Sequence, residues 1–172
     1  CENHIFQAST SSSTLQITCS DEEACKKVEI KSTFAKLELH CTGNKACKEL
    51  KMIGHPTVVE VISSDNKAME NAVFESTFSS SSLTMNCIAS ETCKGVEFKS
   101  GSSIDYIDIS CSHSQKSCEN MKFEGATQMI DAKCKSFEAC KGMKVKGSTD
   151  TLQVECDAAE ACEKLKIENQ PS

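Results

Sequence analysis

The stretch from Leu83 to Ser100 reads LTMNCIASETCKGVEFKS, and its pattern decides the fold. Leu83 and Met85 alternate with polar residues, then Cys87 and Cys93 flank a short turn, then Val96 and Phe98 alternate again. Apolar residues two apart place one face of a short strand inward and the intervening residues in water. A helix would need them three and four apart. The stretch therefore reads as two half-buried strands joined by a cysteine-flanked turn.

The same pattern recurs along the chain. First cysteines fall at Cys19, Cys41, Cys87, Cys111, Cys134 and Cys156, and a second follows each at Cys25, Cys47, Cys93, Cys118, Cys140 and Cys162. The unit repeats every 22 to 24 residues, and the double-length gap after Cys41 holds a seventh unit, VEVISSDNKAMENAVFES, with Ser63 and Met69 in the cysteine positions. A period of this size signals a solenoid, because one unit cannot bury its narrow apolar face alone and stacked units can. The expectation is an all-β, parallel β-solenoid of about seven coils, right-handed by the crossover rule. It forms one domain over residues 1–172, with 1–14 ending a preceding coil and 15–172 carrying the seven units. Strands ~4.8 Å apart would make a rod of roughly 34 Å. Phe74, Phe98 and Phe123 share one inward position and should stack. Small and turn-forming stretches such as STFSSSS, GSS and GAT are expected to close each coil at a corner.

Thirteen cysteines in 172 residues imply an oxidising, extracellular-type compartment. Zinc is the rival reading, but the spacing exceeds that of metal ligand pairs, and His4, His40, His55 and His113 share no position in the repeat. The third unit indicates connectivity. Were the second cysteine of one coil bonded to the first of the next, the replacement of the third unit's cysteine pair by Ser63 and Met69 would orphan Cys47 and Cys87. Pairing within units orphans nothing, so the expected bridges are Cys19–Cys25, Cys41–Cys47, Cys87–Cys93, Cys111–Cys118, Cys134–Cys140 and Cys156–Cys162. Cys1 begins CENHIF, which matches the segment after a second cysteine, with His4 and Phe6 inward. Its partner is expected upstream, outside this chain, so the chain reads as a segment of a longer array; a free thiol is the plain alternative.

The net charge is −6 and all 19 basic residues are lysine. A phosphate-tracking surface would need a basic stripe and stacking platforms would need aromatics, so the acidic balance, the absence of Trp and the single Tyr argue against nucleic acid as a partner. The residue after the second cysteine position runs Lys26, Lys48, Glu70, Lys94, Glu119, Lys141, Glu163, and five residues on run Lys31, Ile53, Glu75, Lys99, Glu124, Lys146, Glu168. Such alternation would set opposite charges against each other on neighbouring coils and disfavour a one-coil slip.

Catalytic motifs of the GxSxG, HExxH, P-loop and GxGxxG types are absent from the sequence. Some β-helices act on polysaccharides, so Asp105, Asp108 and Asp131 are the carboxylates to weigh, the last two at equivalent outward positions. An ice-binding face would need a Thr or Ser array, whereas the outward positions carry Lys and Glu. Thr10, Ser11, Ser12, Ser13, Ser80 and Ser81 are candidate O-glycan acceptors on corners; no Asn-x-Ser/Thr sequon occurs. No signal peptide or membrane-spanning run is present in the sequence, no cofactor or metal is expected, and the chain reads as mature or excised ectodomain.

Units such as KACKELKMIG (45–54) and EACKGMKVKG (138–147), each after an apolar-x-apolar-x-Cys strand, resemble the cysteine-stapled β-solenoid repeats of large secreted or surface proteins of protists and algae. The resemblance covers essentially the whole chain and implies building blocks of extracellular fibres, including flagellar hairs. The leading expectation is a non-enzymatic structural rod that assembles with itself or with neighbouring segments. A surface adhesin or glycan-binding module is the second reading, and a β-helix polysaccharide-active enzyme the third.

Overall fold

The computed structural model describes residues 5–8, 14–32, 34–54, 56–75, 79–99, 103–112 and 114–168. In chain order the strands are β1 (Ile5–Ala8), β2 (Thr14–Cys19), β3 (Glu29–Ser32), β4 (Lys36–Cys41), β5 (Lys51–Gly54), β6 (Val58–Ser63), β7 (Val73–Glu75) and β8 (Ser79–Cys87). They continue as β9 (Glu97–Phe98), β10 (Ser103–Cys111), β11 (Lys122–Glu124), β12 (Ala126–Cys134), β13 (Lys144–Lys146), β14 (Thr149–Cys156) and β15 (Lys166–Glu168). Odd-numbered strands form one eight-stranded sheet and even-numbered strands a seven-stranded one, each in strictly ascending order. Every pairing is parallel. This is the β-solenoid the period implies, with β1 taking the place of a preceding coil's second strand against β3.

The period-two pattern places the core between the sheets. β4 and β6 alternate buried and more exposed positions, burying Leu37, Leu39, Val59 and Val61. The odd strands contribute Ile30, Met52, Phe74, Phe98, Phe123 and Val145. Phe74, Phe98 and Phe123 stack with ring centroids 5.0 Å apart at both steps, close to the separation of neighbouring strands. The backbone ladder thus sets the aromatic spacing.

One corner differs from the sequence expectation. The described residues of the stretches read as turns before the later units are largely strand: Ser79 to Ser82 open β8, Ser103 opens β10, and Ala126 and Thr127 open β12. Only Gly125 separates β11 from β12. Parallel pairing with neighbouring coils supplies backbone partners that a lone Ser-rich segment lacks, and it overrides local turn preference. Packing is close where this corner stacks: a Cβ at Gly147, whose φ is 124°, would lie 2.1 Å from the Gly125 carbonyl oxygen.

Candidate functional site

The opposite corner carries the cysteines. Residues between the two cysteine positions form successive turns, as in Ala24 N–H to Asp21, Lys26 N–H to Glu23 and Val28 N–H to Cys25. Each turn also bonds the next coil: the Cys25, Cys47, Cys118 and Cys140 amides donate to the carbonyls of Ala46, Ala68, Ala139 and Ala161. Two equivalent positions in every turn adopt left-handed backbone, for example Lys45 (φ 54°) and Glu49 (φ 58°), and the fourth turn adds Cys93 (φ 54°). Such residues cost about 1–2 kcal/mol each outside glycine, and the inter-coil ladder holds them there. At the second of these positions Gly95 lies under Asn71, whose Oδ1 would be 2.4 Å from an added Cβ.

Six disulfides occupy these corners: Cys19–Cys25, Cys41–Cys47, Cys87–Cys93, Cys111–Cys118, Cys134–Cys140 and Cys156–Cys162. Each closes its own coil. The first five pack inside the core, whereas the last is less covered. In the third coil Ser63 and Met69 take these positions, both fully buried. The Met69 thioether lies 3.2 Å from Cys41 Sγ, a sulfur–sulfur contact without a proton because Cys41 is bridged. Ser63 hydrogen-bonds Thr92 of the following coil. The buried file of small residues, Ala46, Ala68, Thr92, Ser117, Ala139 and Ala161, was not singled out by the sequence reading. Its signal was a small residue just before every second cysteine position.

The outward files carry ion pairs. Lys48–Glu70 and Lys94–Glu119 meet at 2.8 Å, and Lys141–Glu163 at 2.6 Å, all across neighbouring coils. Glu75 takes both Lys51 (2.8 Å) and Lys99 (2.6 Å). Lys51 first and Lys99 second hold its carboxyl below the ordinary value, and Glu75 raises Lys99 in return. Glu119 likewise raises Lys94. Lys48–Glu70, Lys94–Glu119, Lys141–Glu163 and Glu75–Lys99 are pairs that the sign alternation predicts, whereas Lys51 reaches Glu75 from the adjacent file. At the first step Lys48 follows Lys26 in the same file, like charge on like, and Lys26 turns to Glu23 at 3.0 Å.

The candidate carboxylates are partly brought together. Asp108 and Asp131 are register partners, and Lys133 bridges them at 3.8 and 3.2 Å. Asp131, chiefly, and Asp108 raise the lysine's pKa. Asp131 is buried although its side chain belongs to the outward file, and its Oδ1 has no hydrogen-bond partner. Asp105 stands apart, accepting from Gln128 Nε2 at 3.1 Å. Glu138, Glu160 and Glu163 converge, but Lys141 already sits among them, bonded to Glu138 and 3.6 Å from Glu160. A hollow of ≈130 Å³ lined by Asp105, Thr127, Gln128 and Asp150 is small beside the roughly 300–1,000 Å³ of small-molecule sites.

No protein-family model, curated protein or solved structure matches the chain. No helix among the described residues is long and apolar enough to cross a membrane. Of the candidate acceptors, Ser80 and Ser81 fall within strand β8 rather than on a corner. Thr10, Ser11, Ser12, Ser13 and Cys1 lie outside the described residues, as do His4, His55 and His113.

Proposed function

We propose that the chain is part of a non-enzymatic extracellular structural protein, a rigid rod that assembles with identical or adjacent segments into fibres. The observation that carries this reading is the combination of two continuous parallel sheets with a staple in six of seven coils. Closing a seven-residue loop contributes about 2 kcal/mol per bridge, so the array resists unravelling coil by coil. Six bridges also need an oxidising compartment to form.

The chemistry on the surface supports the same reading. Every described cysteine is bridged, and the closest carboxylate groupings already hold a lysine ammonium. The resemblance to fibre-forming repeats of protists and algae points the same way. Electron microscopy and sizing of material purified from its source test the proposal: filaments are expected, and a soluble monomer that turns over polysaccharide would overturn it.

A further inference from the structure

On the outer face of the odd-numbered sheet, one file breaks the charge pairing seen elsewhere. It runs Glu29, Lys51, Val73, Glu97, Lys122, Lys144, Lys166. Lys122 pairs in register with Lys144, and Lys144 with Lys166. Three lysines therefore stand in register on neighbouring strands, their backbones ~4.8 Å apart per step. Like charges at directly opposed positions destabilise a sheet. Among the described residues, all but Lys45, Lys135, Lys144 and Lys166 of the 19 lysines have a carboxylate oxygen within 4.0 Å. Two of those four stand next to each other in this row. The third member, Lys122, reaches Glu97 only at 4.0 Å and keeps 43% of its side chain exposed. Lys146 flanks the row two residues along β13, 3.9 Å from Glu168 and with 47% of its side chain exposed.

We propose that Lys122, Lys144 and Lys166, flanked by Lys146, form a docking row for a linear acidic polysaccharide, carboxylated or sulfated, lying along the rod axis across β11, β13 and β15. A row of cations at a fixed interval suits a polymer that presents anions at a fixed interval. Lysine, a compact charge on a flexible stem, adapts to either carboxylate or sulfate. A second copy of this chain is a poorer fit. No outward position among the described residues is acidic in three successive coils, and the acidic pairs that do stack, Glu38–Glu60, Asp108–Asp131 and Glu138–Glu160, are bridged by Lys36, Lys133 and Lys141. The choice of a glycan over a nucleic acid rests on the extracellular reading above. The row itself does not depend on rods stacking end to end.

The test is binding of the intact chain to polygalacturonate and to heparin, measured by calorimetry at several salt concentrations, with neutral dextran and single-stranded DNA as comparators. Both acidic glycans are expected to bind, weakening as salt rises. Lys144→Gln and Lys166→Gln should each weaken binding roughly fivefold, the scale of one lysine beside a polyanionic surface. Lys144→Glu should abolish binding, while Lys45→Gln, on the stapled corner, should leave it unchanged. The three substituted residues, Lys45, Lys144 and Lys166, all reach the surface, so the far-UV spectrum should not change. Absence of binding to either acidic glycan would overturn the proposal, as would equal loss with Lys45→Gln or tighter binding to the DNA. Dissociation of an oligomer by Lys144→Glu would also overturn it, by assigning the row to contacts between copies. Failure to see filaments would leave it standing.

Discussion

The third and fourth coils follow the same path with different chemistry at the corner. Val59, Val61 and Phe74 pair in register with Leu83, Met85 and Phe98. Yet the fourth coil is closed by Cys87–Cys93, whereas the third has Ser63 and Met69 in those positions. In both, the corner is fully buried and the turn amides bond the next coil, as with Asn71 N–H to Lys94 and Gly95 N–H to Glu119. The staple therefore does not shape the coil. The ladder and core shape it, and the staple restricts the unfolded chain. Where the staple is missing, packing by a long thioether and a hydroxyl–hydroxyl bond between coils takes its place.

The largest effect expected from breaking this comparison comes from Met69→Ala. It empties a fully buried site with no bridge to hold the corner, and should cost about 3 kcal/mol in denaturant unfolding. A loss below 1 kcal/mol would mean that the unstapled corner does not depend on its thioether. Next come the exchanges of corner chemistry. Cys87→Ala with Cys93→Ala should lose about 2 kcal/mol, and Ser63→Cys with Met69→Cys, once oxidised, should gain a similar amount. Intact mass with and without reductant reports whether the new bridge has formed. Ser63→Ala should cost about 1 kcal/mol by leaving the buried Thr92 hydroxyl without its partner, and Ser63→Ala with Thr92→Val should recover most of it.

The smallest effect is electrostatic. Glu75 joins the third coil to the second and fourth through Lys51 and Lys99. Its lowered carboxyl pKa contributes stability above its ordinary value of 4.5, which is lost as pH falls through the folded value. The raised Lys99 contributes fully below 10.5 and loses that contribution as pH rises through its folded value. Urea midpoints should be flat across neutral pH and fall at both extremes, with Glu75→Gln flattening the acid limb. An unchanged acid limb in Glu75→Gln would place the pH dependence elsewhere, and high salt should shrink the effect.

Much of this structure was legible because the array reuses one rule seven times. The spacing of Leu83, Met85, Val96 and Phe98 specified strands, and the joint loss of both cysteines at Ser63 and Met69 specified pairing within coils. The phenylalanine file followed from register alone. Ser79 to Ser82 misled, because Ser-rich segments favour turns in isolation and strand only when neighbouring coils offer backbone partners. The left-handed residues were equally hidden: Lys45 and Glu49 have no intrinsic preference for positive φ, and the inter-coil amide bonds impose it.

The sequence by itself determined the period, the strand faces, the staples and the alternating charges, since each depends on residues a fixed distance apart along one chain. Only the tertiary structure decided where the strands begin, that Asp131 is covered and held by Lys133, and which lysines find a carboxylate. These depend on side chains 22 to 25 residues apart meeting across the coils. Lys122, Lys144 and Lys166 are ordinary lysines in the sequence. Parallel register turns them into a row.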